Sequence, residues 1–196
     1  FKAKDDTLSL NESDSIIDAT PAYENMVLGI NNKLTFFKDK LQFKLDASLS
    51  AFSHNIRFND IVLSEDGKYD WVNTFYTPNL SSSINYAGES ELSYRHKYFT
   101  IGGKYRRVMP DYKSLGSEYI LNDLEALTIN PSVKLLKGKA IISSSIGTQR
   151  NNLDGMRTST NQRLISSVNL SLNPSPYWGV MLSYSNYTFQ QQVVID

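Results

Sequence analysis

Apolar and polar residues alternate with a period of two along most of this 196-residue chain, and no other sequence feature constrains its fold as strongly. The clearest stretch covers residues 41–51. Its apolar set is Leu41, Phe43, Leu45, Ala47, Leu49 and Ala51, and the set between them is Gln42, Lys44, Asp46, Ser48 and Ser50. Because successive side chains of a β-strand point to opposite faces, this pattern predicts a strand with one apolar and one polar face.

The same alternation returns repeatedly along the chain. It is visible at about 26–37, 82–95, 99–106, 127–135, 140–149, 164–172 and 178–185. Together these stretches predict about eight antiparallel strands in a meander, several of them longer than the five or six residues usual in globular sheets. Pro131 falls inside one stretch and cannot donate a backbone hydrogen bond, so we expect a local bulge there.

The connections between these strands alternate in length. Tight turns are expected at 38–40, 96–97, 137–139 and 173–176, and longer polar loops at about 53–81, 108–119 and 150–161. Outer-membrane barrels have short periplasmic turns and longer extracellular loops. Aromatic residues near strand ends, Tyr23, Tyr98, Tyr177 and Trp178, suit the interfacial girdle of such a barrel. The sequence therefore predicts an all-β, antiparallel, up-and-down transmembrane β-barrel.

Composition narrows the functions that fit. The 20 basic and 20 acidic residues give no net charge, so nothing favours nucleic acid as a partner. The chain has no cysteine, which excludes disulfides and thiolate metal sites. His54 and His96 are the only histidines and are expected at separate turns, so we expect neither a metal site nor a cofactor.

Charged residues recur on the polar side of the predicted strands. The candidates for a lumenal face are Lys44, Asp46, Glu89, Glu91, Arg95, Lys104 and Arg106. Glu89 and Glu91 stand roughly 6.5–7 Å apart along one strand face, a spacing that acid–base chemistry could use. We favour paired charges lining or plugging a lumen, because each such charge would cost several kcal/mol if it faced lipid. The sequence shows no convincing pair of nucleophile and base, so we do not expect an enzyme.

Two loop segments are candidates for contacts. The longest loop holds the aromatic residues Tyr69, Trp71, Phe75 and Tyr76, which could bind a surface partner or simply pack the loop onto the rim. The segment from Arg106 to Asp123 carries Asp111, Lys113 and further charges. It is expected either to fold into the lumen and narrow it or to form an ordinary polar extracellular loop.

The predicted orientation divides the chain into a polar N-terminal loop or remnant at 1–25, a hairpin meander at 26–191 and a tail at 192–196. If the long loops lie outside, the first clear strand starts on the outer side and the last one finishes there. Single-chain barrels of this class place both termini on the periplasmic side. We therefore expect the strands to belong to a larger barrel. The alternatives are a closed eight-stranded barrel with unusual polarity and a hidden ninth strand in residues 5–18.

Two stretches carry a resemblance in style. The segments Tyr105–Gly116, YRRVMPDYKSLG, and Leu182–Tyr187, LSYSNY, resemble large outer-membrane barrels of Bacteroidota. The resemblance implies a bacterial outer-membrane location, with the lipid bilayer and other outer-membrane protein chains as partners. It transfers no functional residue to this chain.

These observations lead to one expected function and one alternative. We expect a non-enzymatic outer-membrane β-barrel segment that serves as a pore or transport component, or as a subunit of an outer-membrane assembly or secretion complex. The alternative is a soluble or surface-exposed β-sheet binding module of the adhesin kind, in which the apolar face would be buried between two sheets.

Overall fold

The computed structural model describes residues 1–7, 20–61, 75–117 and 119–193. Across these residues the chain forms strands β1 (Lys2–Lys4), β2 (Glu24–Phe36), β3 (Leu41–Ser53), β4 (Ser82–Arg95), β5 (Phe99–Val108), β6 (Leu124–Leu135), β7 (Ala140–Arg150), β8 (Ser159–Ser175) and β9 (Trp178–Val193). All nine lie in one sheet in chain order. The prediction of an all-β, antiparallel, up-and-down fold is confirmed.

The sheet of the described residues is open, with β1 and β9 as its edges. The ninth strand is β1, which pairs with Glu24–Met26 of β2. Lys2–Lys4 therefore belong to the sheet, although residues 1–25 were expected to be a loop, and β9 extends the meander to Val193. Closure into a barrel stays a prediction.

Strand register brings equivalent side chains into rows across the sheet. Phe99, Val133, Ile142, Leu170 and Leu182 are successive Cα partners from β5 to β9. The neighbouring row on the other side is Thr100, Ser132, Ser143, Asn169 and Ser183. One face of these five strands therefore carries hydrophobic side chains and is here called the apolar face. The opposite face carries hydroxyl and amide side chains and is called the polar face.

Two tight turns have left-handed backbones. Phe37, Lys38 and Asp39 have φ of 54°, 57° and 64°, and Leu136 and Lys137 have φ of 51° and 57°. Gly138 follows with φ of 93° in a short 3₁₀ turn, Leu136–Gly138. Consecutive left-handed residues match the twist of the flanking strands in a hairpin, so these two connections stay short.

Two details of the sequence prediction are wrong. Pro131 causes no bulge, because β6 and β7 keep the same register on both sides of it. The register shift lies instead between Leu172 and Ser175 of β8, a stretch that contains Pro174. The last turn is accordingly Pro176–Tyr177, shorter than the predicted 173–176.

The chain divides into two compact units. The first unit is Phe1–Gly29, Ser48–Tyr86 and Asp111–Asn122, and the second is Ile30–Ala47, Ala87–Pro110 and Asp123–Asp196. In the described part of the first unit, four polar side chains are almost completely buried, namely Asn25, Asn79, Ser50 and Ser53. None of the helical segments in the described ranges has the length and apolarity to cross a membrane.

Candidate functional site

The apolar face of the second unit is open to its surroundings. In the Phe99 row the exposed fractions of Phe99, Val133, Ile142 and Leu182 lie between 38% and 59%. Other large side chains on this face, including Leu92, Ile101, Ile129, Ile146 and Leu164, are exposed to a similar degree. Soluble monomers rarely expose continuous apolar patches beyond a few hundred Å². This face therefore requires an apolar environment or a covering partner.

The apolar stretches have similar lengths in different strands. Leu28–Phe36 in β2, Leu41–Leu49 in β3, Leu127–Leu135 in β6 and Leu164–Leu172 in β8 each begin and end on the apolar side and cover nine residues. A tilted β-strand needs about 9–11 residues to cross the hydrocarbon core of a bilayer. The four apolar stretches thus have the length of one such crossing.

All seven residues that were predicted to face a lumen lie on the polar face. Lys44 bonds Glu91 at 3.1 Å, and Lys104 bonds Glu89 at 2.6 Å. Arg106 is the Cα partner of Glu89, and Arg95 is the partner of Thr100 in the hydroxyl row. Asp46 accepts a hydrogen bond from the side-chain amide of Asn31. Positive and negative groups therefore alternate across β3, β4 and β5.

These charges are not in a dry interior. The side chains of Lys44, Glu91, Lys104 and Glu89 are 30–41% exposed. Ion pairs at this exposure contribute only about 0–1 kcal/mol each to stability. The ion pairs therefore contribute little to the stability of the fold, and their position is explained by a face that contacts water.

The pairing also bears on acid–base chemistry. Glu89 and Glu91 each bond a different lysine, so neither carboxylate is presented to the other as half of an acid–base pair. Together these lysine–glutamate pairs form a charge ladder.

In the first unit, the loop after β5 lies on the polar side of β2 and β3. The hydroxyls of Tyr112 and Ser48 are 2.8 Å apart, and Ser50 donates to the carbonyl of Lys113. The backbone N–H of Leu115 donates to Asn25 Oδ1 at 3.0 Å. Ser48 and Ser50 belong to the same alternate set of β3 as Lys44 and Asp46. The described part of this loop therefore contacts the polar side of β2 and β3, and its placement in a lumen stays a prediction.

A second contact holds the same loop. His54 Nδ1 lies 3.1 Å from the carbonyl of Ser81, so this nitrogen carries the hydrogen and Nε2 is left to accept one from Lys113 Nζ at 3.0 Å. Lys113 Nζ also lies 5.2 Å from the ring centre of Phe52. His54 is therefore an anchor for the loop and not only a solvated turn residue.

A cavity of about 330 Å³ lies beside this loop in the first unit. Its walls include Phe52, Tyr112, Lys113, Leu115 and Ile120, so an apolar surface meets one ammonium group. The cavity is wide open on one side. Both apolar and anionic groups could therefore contact the polar side of β3 at this cavity.

The predicted aromatic loop contacts have different outcomes. Tyr76 is buried, its hydroxyl lies 2.6 Å from Ser53 Oγ and it donates to Ser82 Oγ at 3.0 Å. It therefore packs its loop onto the sheet and cannot meet a surface partner. Phe75 is exposed, while Tyr69 and Trp71 lie outside the described residues.

One cluster was missed by the sequence analysis. Glu125 bonds Arg107 at 3.2 Å, accepts the hydroxyl of Tyr105 at 2.7 Å and is in contact with Arg150. These side chains lie on the apolar face, at the end of the strands where the long loops begin. The signal that was missed is the presence of two charged residues, Glu125 and Arg107, at positions that the alternation assigns to the apolar side.

The described ranges contain no group of three or more potential metal-ligating side chains. Comparison of the chain with protein families, with curated proteins and with solved structures finds no match. The arrangement of the two faces, the charge ladder and the anchored loop is therefore the basis for any statement on function.

Proposed function

We propose that this chain forms part of the wall of a transmembrane β-barrel in a bacterial outer membrane. The barrel serves as a transport component or as a subunit of an outer-membrane assembly or secretion complex. The observation that carries the proposal is the in-register apolar face, exposed across five strands and backed by a hydroxyl and charge face. Both faces would be in a suitable environment if the apolar face contacted lipid and the polar face contacted water.

The polar face supports the transport side of the proposal. Paired charges such as Lys44 with Glu91 stay hydrated and leave little net charge on the wall. A loop held over the polar side by Tyr112 and Leu115 would reduce the cross-section of a lumen. A pore built from such a wall would pass small polar solutes with weak preference for the sign of charge.

The edges support membership in a larger barrel. In lipid every backbone polar group needs a hydrogen-bond partner, so an open sheet edge is not stable there. β9 pairs with β8 and is the edge of the described sheet, and its residues include no charged side chain and no proline. Soluble proteins protect such edges with charge, proline or bulges. β9 is suited to pair with a further strand.

Reconstitution tests the proposal. The chain, refolded in detergent, should show heat-modifiable gel mobility and should insert into lipid vesicles, with its backbone amides protected from exchange. Inserted protein should raise vesicle leakage of small solutes if the barrel closes with a partner or with copies of itself. A stable, fully soluble monomer that ignores detergent and vesicles would contradict the proposal.

The adhesin-like alternative makes an opposite prediction for one substitution. If the apolar face were buried between two sheets, Leu45→Lys would unfold a water-soluble protein. In a membrane wall the same change places a charge against lipid, at a cost of about 2–4 kcal/mol near the midplane, and blocks insertion. Gln42→Lys, on the polar side of the same strand, is the matched control and should be tolerated.

A further inference from the structure

A polar row crosses the apolar face where the long loops begin. Arg107, Glu125, Arg150 and Gln162 are successive Cα partners in β5, β6, β7 and β8. The next row toward the tight turns is Tyr105, Leu127, Thr148 and Leu164. In β6, Glu125 is thus the last polar residue before the nine-residue apolar stretch starts at Leu127. The row lies at the border of the apolar face.

The charges of this row do not cancel. Within the four residues of the row, two guanidinium groups flank one carboxylate, so their formal charges sum to about +1. The Glu125 side chain is 17% exposed, whereas the Arg150 side chain is 57% exposed. Glu125 is therefore covered by its three donors, and a large part of the Arg150 guanidinium faces outward. Guanidinium groups bind phosphate with paired hydrogen bonds, and they are less strongly hydrated than ammonium groups.

A cavity of about 270 Å³ lies at the same place. Its walls combine Tyr105, Leu127 and Thr148 with the polar side chains of Glu125, Arg150 and Gln162. A cation stands at one side of the cavity and an apolar floor continues from it along the strands. Such a site fits a molecule with an anionic head and a hydrocarbon tail.

We propose that this row binds the phosphate of a lipid headgroup, with Arg150 on the phosphate and Leu127 and Leu164 under the acyl chain. The site rests on the proposed function, because it needs the apolar face to lie in lipid. In that setting the row stands at headgroup height, and it gives the protein a preference for anionic over zwitterionic lipid.

Lipid binding to the detergent-solubilised chain tests the site, with phosphatidylglycerol and phosphatidylcholine as probes in native mass spectrometry. Arg150→Gln should weaken phosphatidylglycerol binding about fivefold, since one basic residue near an anionic surface contributes about 1 kcal/mol. Glu125→Gln removes the competing carboxylate and should strengthen it by a similar factor. Phosphatidylcholine binding should stay within twofold in both variants.

Arg163→Gln is the matched control. Arg163 adjoins Gln162 in β8 but lies on the opposite face, where it is the Cα partner of Gln149 and its guanidinium carbon is 5.7 Å from the ring centre of Phe189. This variant makes the same charge change at the same height and should bind both lipids as the unaltered chain does. Equal effects of Arg150→Gln and Arg163→Gln would overturn the site.

The remaining outcomes separate the site from the membrane placement. If Glu125→Gln weakens anionic lipid binding while its heat-modifiable mobility is retained, the cluster is structural and the proposal is wrong. Displacement of phosphatidylglycerol by millimolar inorganic phosphate would assign the row to a free ion and contradict the lipid. Equal binding of both lipids would contradict the lipid site alone. Binding of neither lipid would contradict the proposed membrane function as well.

Discussion

At the scale of single residues, buried polar groups hold the loops on the strands. Asp123 is an example: its carboxylate accepts the N–H of Leu153 at 2.9 Å and lies 2.7 Å from Arg157 Nε. It also has a left-handed backbone, with φ of 54°. Aspartate tolerates this conformation better than most residues. One side chain therefore connects the start of β6 to the loop after β7.

Replacing Asp123 with alanine should lower the free energy of unfolding by about 2 kcal/mol. The change removes a hydrogen bond and an ion pair and leaves alanine in a strained conformation. Urea unfolding in detergent, followed by circular dichroism, measures it. Asp154→Ala is the control: its carboxylate accepts the N–H of Met156 at an exposed site, so we expect a few tenths of a kcal/mol. Equal losses would show that the Asp123 contacts contribute nothing specific.

The hydroxyl of Tyr112 should determine how firmly its loop is held. Tyr112 is buried, and Tyr112→Phe removes the contact with Ser48 at a cost of about 1 kcal/mol. Trypsin cleavage after Lys113 should then be about fivefold faster, because the loop opens more often. Tyr119→Phe changes an exposed ring and should leave the rate unaltered. An unchanged rate in Tyr112→Phe would mean that the loop is held by other contacts.

At the scale of strands and turns, alternation was sufficient to predict most elements. Leu41–Leu49 and Leu127–Leu135 show it plainly. The strands from β2 to β7 begin and end within about three residues of the predicted limits, whereas β8 begins five residues earlier and β9 ends eight residues later than predicted. Contacts between distant side chains could not be predicted this way. The anchoring of Leu115 by Asn25 joins residues 90 positions apart, and no local pattern marks it. Pro131 was misjudged because a proline can occupy a strand position without shifting the register.

The hairpin between β6 and β7 depends on a glycine. Gly138 has φ of 93°, so Gly138→Ala should destabilise the fold by about 1 kcal/mol or more, since alanine strains this conformation. Gly103→Ala in β5 is the comparison, because no atom lies within 4 Å of the added methyl group. It should change the unfolding midpoint in detergent little. Similar midpoints for both variants would contradict the role assigned to the turn.

At the scale of the molecule, two faces of opposite character explain why few apolar side chains are buried among the described residues. The described strands place large hydrophobic side chains outward on one side and hydrated ion pairs on the other. A soluble fold would do the reverse and bury its apolar face. The account therefore depends on what each face contacts, and that is measurable without knowledge of the cargo.

The most direct test uses nitroxide labels on single cysteines, since the chain has no cysteine of its own. Labels at Ile129→Cys and Leu182→Cys should collide often with oxygen and rarely with a water-soluble nickel complex when the protein is in lipid vesicles. Labels at the adjacent Thr128→Cys and Ser183→Cys should show the opposite. If Ile129 and Leu182 were shielded from both reagents, or if the pattern were reversed, the apolar face would not contact lipid and the account would be wrong.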